Sequence, residues 1–517
     1  MEFAQALRDL GWRIIASGGT ARELKKAGVP VMDVAAFVGG GAILGHRVVT
    51  LSRELHAGLL AHPVRDRDEM EKLGLKYIDL VCVDLYPLAD AIAQPDADEV
   101  HVIENTDVGG PTMIHAAAKG RRIVICDPAD RAEVIKWLKA GRFDEATFRR
   151  ALAGKAEGVV AQYLLTSAEY VSERAVSGVI GGWVDNCRYG ENAWQTPATL
   201  NAIETADPLA IPRFEVIAGE QGFVNWTDVD RLVMTATHIA AGADHSSGSV
   251  PQMAIGVKHG NPCGAGIGED PCSAIAKMMA GDPLALFGGF VLVNFRVTEK
   301  EAEALLTAPG GKKQVLDGVI APGFTQRTID MLSRREGRCK LLVNPALAKM
   351  SKNSLDSEPR IRPIRGGFLR QPNYDLILDL GDRNPNREII GNLIVGLAND
   401  IIFAWAIGST SNSNTIIIVR DGQLLGAGVG QKDRCIACQL AVQLAERSGH
   451  NLTDAVAYSD SFFPFNDGPE VLIAAGVKTI FASSGSNNDE RLKALCQDRG
   501  ITLVLMPDEE IRGFFGH

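Results

Sequence analysis

The eight residues Val257-Lys258-His259-Gly260-Asn261-Pro262-Cys263-Gly264, entered from the apolar run Met253-Ala254-Ile255-Gly256, leave this chain few options. The apolar run reads as a buried strand, and Gly260, Pro262 and Gly264 then force the backbone to turn. Lys258 and His259 are therefore expected where a strand opens into a loop, the place where α/β enzymes carry reactive side chains. A lysine beside a histidine raises the electrostatic cost of the imidazolium and favours a neutral ring that can accept a proton near pH 7. An isolated Lys-His pair at a strand end is more often a solvated surface pair, so its meaning depends on the rest of the chain.

At 517 residues the chain exceeds one ordinary core, and two or three domains are expected. With 46% hydrophobic and 22% charged residues it has the balance of a globular protein, not of a disordered or membrane one. The formal net charge of -10 argues against nucleic acid or an anionic membrane surface as the main partner. An anionic ligand must then be held by a local cluster of Arg, Lys and backbone N–H groups. The longest apolar stretch, near 390–407, is interrupted by Asn399-Asp400, and no run reaches membrane-spanning length. Met1-Glu2-Phe3 opens inside an amphipathic helical pattern without a basic leader, so a cytoplasmic protein is expected. Nine scattered cysteines fit a reducing compartment. Cys435 and Cys438 form a lone CxxC with no second pair or nearby histidine, and no metal site is expected.

Along the chain, a helix to Leu10 and a strand Trp12 to Ala16 lead into Ser17-Gly18-Gly19-Thr20 at the start of another helix. A strand, a hydroxyl-bearing glycine turn and a helix N-terminus make a ready anion site. Tyr77 to Asp84 reads as a buried strand followed by Leu85-Tyr86-Pro87-Leu88, and Ile103 to Thr112 leads into a helix ending at Lys119. Arg122 to Cys126 reads as the next strand, so the pattern predicts a doubly wound parallel sheet. Residues 130–180 read as helical, Ala308 to Lys313 as a flexible loop, and Ser351 to Arg365 as a polar linker between two α/β lobes. No internal repeat stands out.

Alanine-Ser-Gly-Gly-Thr-Ala at 16–21, the Asp84 to Leu88 turn and Ile103 to Gly120 resemble the methylglyoxal-synthase-like domain of the bifunctional AICAR transformylase/IMP cyclohydrolase family of purine biosynthesis. The resemblance continues through Arg188-Tyr189-Gly190-Glu191-Asn192, the Lys258 to Gly264 stretch, Asp317 to Pro322, Ser413-Asn414, Gly428 to Arg434, Ser459 to Phe465 and Arg512 to Phe514. It covers nearly the whole chain, in order. It implies a methylglyoxal-synthase-like doubly wound domain at 1–180, followed by a two-lobed cytidine-deaminase-like transformylase region at 181–517. The deaminases' His-x-Glu and Pro-Cys-x-x-Cys zinc set is absent from this sequence.

The resemblance implies formyl transfer from 10-formyltetrahydrofolate, a co-substrate and not a bound cofactor, to the 5-amino group of AICAR. That amine is a poor nucleophile, so the reaction needs a base and oxyanion donors. By resemblance His259 is the base, Lys258 supplies positive charge, and Asn414 orients the reacting groups. Arg188, Tyr189, Asn225, Asp317, Phe462, Arg512 and Phe514 match AICAR-contacting positions, and Arg434 and Phe465 match folate contacts. A homodimer with sites at the subunit interface is also implied.

For the first domain the resemblance implies cyclisation of formyl-AICAR to IMP, with Tyr86, Asp107 and Lys119 in catalytic positions. Ser17, Gly19, Thr20, Arg47 and Thr50 match positions that hold the nucleotide. Here the chain departs from the family: Val49 stands where the family carries a lysine, and the family's first strand with its phosphate loop has no counterpart ahead of the first helix. Asp84 replaces the usual Asn and would place negative charge near the nucleotide. These departures predict that cyclisation is weakened or lost. Two rival expectations stay open: a retired purine-nucleotide-binding protein, and a lookalike that uses another formyl donor.

Overall fold

The computed structural model describes residues 1–517 apart from Gly45, His46, Glu204, Arg335, Glu336, Arg512 and His517. The chain divides into two compact units, Met1–Gly182 and Trp183–His517.

In the first unit, parallel strand pairs carry the α/β pattern. Ile15–Ala16 pairs with Met32–Asp33, and Leu80–Cys82 pairs with Ile123–Ile125. They are shorter than the sequence pattern suggests, and among the described residues no strand joins the two pairs. The helix Gly109–Lys119 presents Ile114 and Ala117, both fully buried, to a core shared with Ile123 and Ile125. The 27-residue helix Glu145–Val171 closes over that core through Leu152, Ala156 and Val160.

The second unit is built on a sheet of 12 strands among the described residues. From one edge the order is Glu388–Ile390, Thr502–Met506, Thr479–Ser483, Val456–Ser459, Ile416–Arg420 and Gln423–Gly428. It continues through Asn261–Gly268, Gln252–Lys258, Phe290–Val293, Gly318–Ala321, Lys340–Val343 and Glu215–Ala218. The two halves repeat one plan. Each has an antiparallel edge strand, then a helix (Phe223–Ser247 or Val395–Gly408), a hairpin, and three mutually parallel strands. The hairpins lie innermost and join the lobes where Gln423 faces Gly266. This repeat is invisible in the sequence because the two lobes share a burial pattern and not residue identities.

Helices Phe223–Ser247 and Val395–Gly408 pack into one core common to both lobes. The longest apolar stretch of the sequence is this second helix, in which every residue from Asp400 to Gly408 is buried, as expected of a helix apolar all round. No helix among the described residues is long and apolar enough to cross a membrane. The outer helices cover the opposite faces in a separate core for each lobe.

Three local expectations are corrected. Gly260 turns the chain as expected, but Pro262 and Gly264 do not continue into a loop, because Asn261–Gly268 is itself a strand paired with Gln252–Lys258. Its glycines serve close packing: a Cβ on Gly264 would stand 2.2 Å from the Met278 carbonyl oxygen. Ala308 to Lys313 is a small hairpin around Pro309–Gly311, since Thr307–Ala308 pairs with Lys312–Lys313. In the expected linker, Arg360–Ile364 pairs with Gly367–Gln371 in a hairpin turned at Arg365 and Gly366, the glycine taking φ of +79°.

Candidate functional site

His259 and Gly260 form the two-residue tip of the innermost hairpin of the first lobe, with φ of +53° and +70°. Positive φ at both positions matches the natural twist of paired strands, which is why such turns favour glycine. Histidine tolerates this region better than most residues, yet placing a side chain there costs about 1 kcal/mol. The tip is held from below. Asp228, 5% exposed on the helix Phe223–Ser247, accepts the Gly260 N–H at 2.7 Å. Burial pushes the Asp228 carboxyl above its ordinary value, against the pull of the Gly260 amide and of His259.

The second lobe repeats this device. Asp421 and Gly422, φ +52° and +67°, tip the other hairpin, and Asp400 accepts both their amides at 2.8 Å. Asp400 is the sixth residue of its helix, as Asp228 is of its own. The turn with its buried carboxylate is thus a property of the fold, and a histidine at the first tip position distinguishes the first lobe.

Lys258 precedes the tip and donates to the Phe287 carbonyl at 2.6 Å. Gly288, with φ +75°, brings that loop close: a Cβ there would lie 3.8 Å from Lys258 Nζ and 4.0 Å from Asp317 Oδ1. Asp317 also faces Arg334 Nη2 at 3.9 Å. Lys258, His259 and Asp317 are therefore gathered at one end of the first lobe. Cys263 lies just beyond, but its thiol is buried, donates to the Gly256 carbonyl, and is pushed up by desolvation, so it is no nucleophile.

Arg188 and Tyr189 approach the same helix from its N-terminal side. Arg188 N–H donates to Gln221 O, and Phe223 N–H donates to Tyr189 O. The Tyr189 ring packs on Gly222, where a Cβ would meet it at 2.8 Å. The Arg188 guanidinium is largely exposed, 4.0 Å from Glu220. Asn225 is buried and spends its side-chain oxygen on the Gly222 N–H at 2.8 Å, which makes it a helix cap. Gln221, which the sequence does not single out, has a buried side-chain amide with no hydrogen-bond partner for either atom among the described residues.

Asn414 stands at the same end of the sheet. The strand Ile416–Arg420 runs antiparallel to Gln423–Gly428, which runs antiparallel to Asn261–Gly268, so its start is level with the His259 tip. A cleft of about 340 Å³ opens beside them, between Lys258, His259 and Pro262 of one lobe and Gly426, Val429 and Leu440 of the other.

Asn414 is fixed by a buried network. Its Nδ2 donates to the Gln431 carbonyl at 2.8 Å, and its Oδ1 accepts from Arg434 Nη2 at 2.6 Å. Arg434, 7% exposed, in turn reaches Asp460 Oδ1 at 2.5 Å and Ser459 Oγ at 2.8 Å. Phe462 is half-buried, whereas Phe465 and Phe514 are 64% and 47% exposed. Arg512 lies outside the described residues. The neighbouring Phe515 is buried between the Arg231 and Arg360 guanidinium groups, at 4.7 and 4.9 Å, and its carbonyl accepts the Ser413 N–H.

In the first unit, Thr50, Asp107 and the start of the helix Gly109–Lys119 come together. Asp107 Oδ1 accepts the Gly110 N–H at 2.9 Å, and a Cβ on Gly109 would stand 2.5 Å from Thr50 Oγ1. Tyr163, not singled out from the sequence, takes the Asp107 N–H on its hydroxyl at 2.6 Å, and Tyr86 is close enough to bear on its charge. Lys119 ends the helix that Asp107 precedes, so the two stand about 15 Å apart along the axis. Ser17, Gly19 and Thr20 lie exposed at the N-terminus of the helix Gly18–Lys26, and Arg47 faces Glu104 at 3.7 Å. Val49 packs against the core of this unit. Asp84 is paired with Arg131 at 2.5 Å, which offsets the negative charge it was expected to bring.

Comparison with known proteins adds the family to this geometry. Residues 117–444 match the model of the AICARFT/IMPCHase bienzyme family, and residues 1–112 match that of the MGS-like domain. The chain belongs to the AICARFT/IMPCHase bienzyme family. A member from Anoxybacillus flavithermus, described as bifunctional purine biosynthesis protein PurH, is 33% identical over 526 residues, covering 97% of this chain and 95% of its own. A crystal structure described as that of ForH is 36% identical over 34% of this chain and 91% of its own, with a TM-score of 0.31. Membership of the bienzyme family accounts for the order of the motifs.

Proposed function

We propose that the second unit transfers a formyl group from 10-formyltetrahydrofolate to the 5-amino group of AICAR, and that the first unit cyclises the product to IMP. The observation that carries this reading is the presentation of Lys258, His259 and Asn414 at one end of a single sheet. The AICAR amine attacks the formyl carbon, forming the C–N bond while the carbonyl π pair moves to oxygen. His259 takes the amine proton. Collapse of the tetrahedral oxyanion re-forms C=O and expels the folate N10, which receives the proton from the His259 imidazolium. Lys258 and Asn414 stabilise the oxyanion.

Arg188, Tyr189 and Arg512 are assigned to the nucleotide phosphate, where planar guanidinium donors are strongest. Asp317 and Phe462 are assigned to the AICAR base and ribose, Asn225 shapes the helix start, and Phe465 and Phe514 offer exposed aromatic surface. The cleft of about 340 Å³ is large enough for a flat ring system from the donor. A homodimer would bring a second copy's surface over these exposed side chains.

For cyclisation the roles fall to Tyr86, Asp107 and Lys119, with Ser17, Gly19, Thr20, Arg47 and Thr50 around the phosphate. Lys119 sits far from Asp107 within the unit, so this assignment requires the nucleotide to span the helix. The test of the whole reading is IMP release from AICAR and 10-formyltetrahydrofolate by the purified chain. AICAR binding without any product supports a retired binding protein, and turnover only with other formyl donors supports the lookalike.

A further inference from the structure

The second lobe places a buried ion pair where the first lobe makes do without charge. In the first lobe, Asn294 follows the strand Phe290–Val293 and accepts the N–H of Met253, on the facing strand, at 2.9 Å. In the second, Asp460 follows the strand Val456–Ser459 and accepts the N–H of Thr415 at 3.1 Å. The backbone contact is the same and the registers correspond. The fold therefore needs an acceptor here and not an anion. The anion at Asp460 has one further consequence: it holds Arg434 at 2.5 Å, and the side chains are 7% and 2% exposed. The matching helix of the first lobe, capped by Asp270 as this one is by Asp433, begins with Pro271 in place of Arg434.

A buried guanidinium can only donate and the Gln431 carbonyl can only accept, so the orientation of the Asn414 amide between them is forced. Its oxygen is turned toward Arg434 and one N–H toward Gln431. The remaining N–H is the donor that Asn414 can offer to a reacting group. Three of the five Arg434 N–H donors are committed to Asn414, Ser459 and Asp460, so the guanidinium is locked in the orientation that faces Asn414.

We propose that Arg434, held by Asp460, is a positioning residue that fixes Asn414 as a hydrogen-bond donor to the developing formyl oxyanion. This rests on the formyl-transfer reading of the site. Arg434→Lys keeps the charge opposite Asp460 but loses the fork. A second variant, Arg434→Met with Asp460→Asn, removes both charges together and reproduces the neutral arrangement of the first lobe, so it retains a folded chain.

The experiment is steady-state formyl transfer by the full chain with AICAR and 10-formyltetrahydrofolate, for each variant alone and combined with Asn414→Ala. The expected result is a kcat lower by about 10- to 100-fold with the donor KM changed by less than about twofold, and no further loss in the Asn414→Ala background. A raised donor KM at unchanged kcat overturns the proposal, as does a full additional loss in the Asn414→Ala background. Absence of transfer by the folded, unaltered chain overturns the function and this role together. Transfer by the unaltered chain that Arg434→Lys leaves untouched overturns the role alone.

Discussion

Asp228 holds the Gly260 amide at 2.7 Å from beneath the hairpin tip that presents His259. Asp400 does the same beneath a tip that carries no histidine, at 2.8 Å to Gly422. The pair forms an internal comparison. Removing either carboxylate leaves a partly buried amide unpaired, and Asp228→Ala and Asp400→Ala should each lower stability by about 1–3 kcal/mol in urea unfolding. Formyl transfer should fall by about tenfold or more in Asp228→Ala, because a misplaced base loses its alignment. Asp400→Ala should keep kcat close to that of the unaltered chain. Equal losses of kcat in the two variants would assign both carboxylates to stability alone.

The positive φ of His259 predicts a conflict between stability and activity at one residue. His259→Gly should raise stability by about 1 kcal/mol, since glycine adopts this conformation without steric penalty. The same variant should lose formyl transfer by about 100-fold or more, because the base is gone. Thermal melting alongside the assay reads both. A variant that melts lower than the unaltered chain contradicts the strained-turn account.

Much of this site was legible before the structure. Lys258, His259 and Asn414 carried the family's motifs, and the strand entering Lys258 followed from its apolar run. What could not be read was the role of the glycines: Gly264 looks like a turn residue in sequence, yet it lies in a strand because the helix Pro271–Ala280 approaches too closely for a Cβ. Asp228 is silent in sequence, because a lone Asp near a helix start has no local signature of the distant amide it accepts. The inward partners of Arg434 are equally silent in sequence, since Asp460 and Ser459 lie 26 and 25 residues away. The repeat of the two lobes went unseen because it resides in hydrogen-bonding order.

Gly264 supplies its own test. A methyl group there would meet the Met278 carbonyl oxygen at 2.2 Å, and backbone cannot move aside as a side chain can. Gly264→Ala should lose about 1–3 kcal/mol through overpacking, with a matching fall in Tm. Gly323, which faces open space, gives the comparison: Gly323→Ala should melt within about a degree of the unaltered chain. A Gly264→Ala variant as stable as Gly323→Ala would show that the strand and helix do not pack as described.

Val49 bears on the first activity. Its side chain packs on the core of the first unit, where the family's lysine would instead offer a cation to the ring-closing oxyanion. Val49→Lys should raise the rate of IMP formation from supplied formyl-AICAR by about 100-fold, the usual worth of one such group. Formyl transfer, which is proposed for the other unit, should not change. Cyclisation by the unaltered chain as fast as by Val49→Lys would mean that another cation already fills this role.

The central claim is that His259 serves as the base of formyl transfer. It is tested most directly by the kcat of the purified chain on AICAR and 10-formyltetrahydrofolate, measured for the unaltered protein and for His259→Gln with folding confirmed for both. The account predicts formyl-AICAR from the unaltered chain and a kcat reduced by about 100- to 10,000-fold in the variant. No product from the folded chain, or a His259→Gln kcat within about twofold of the original, would contradict it.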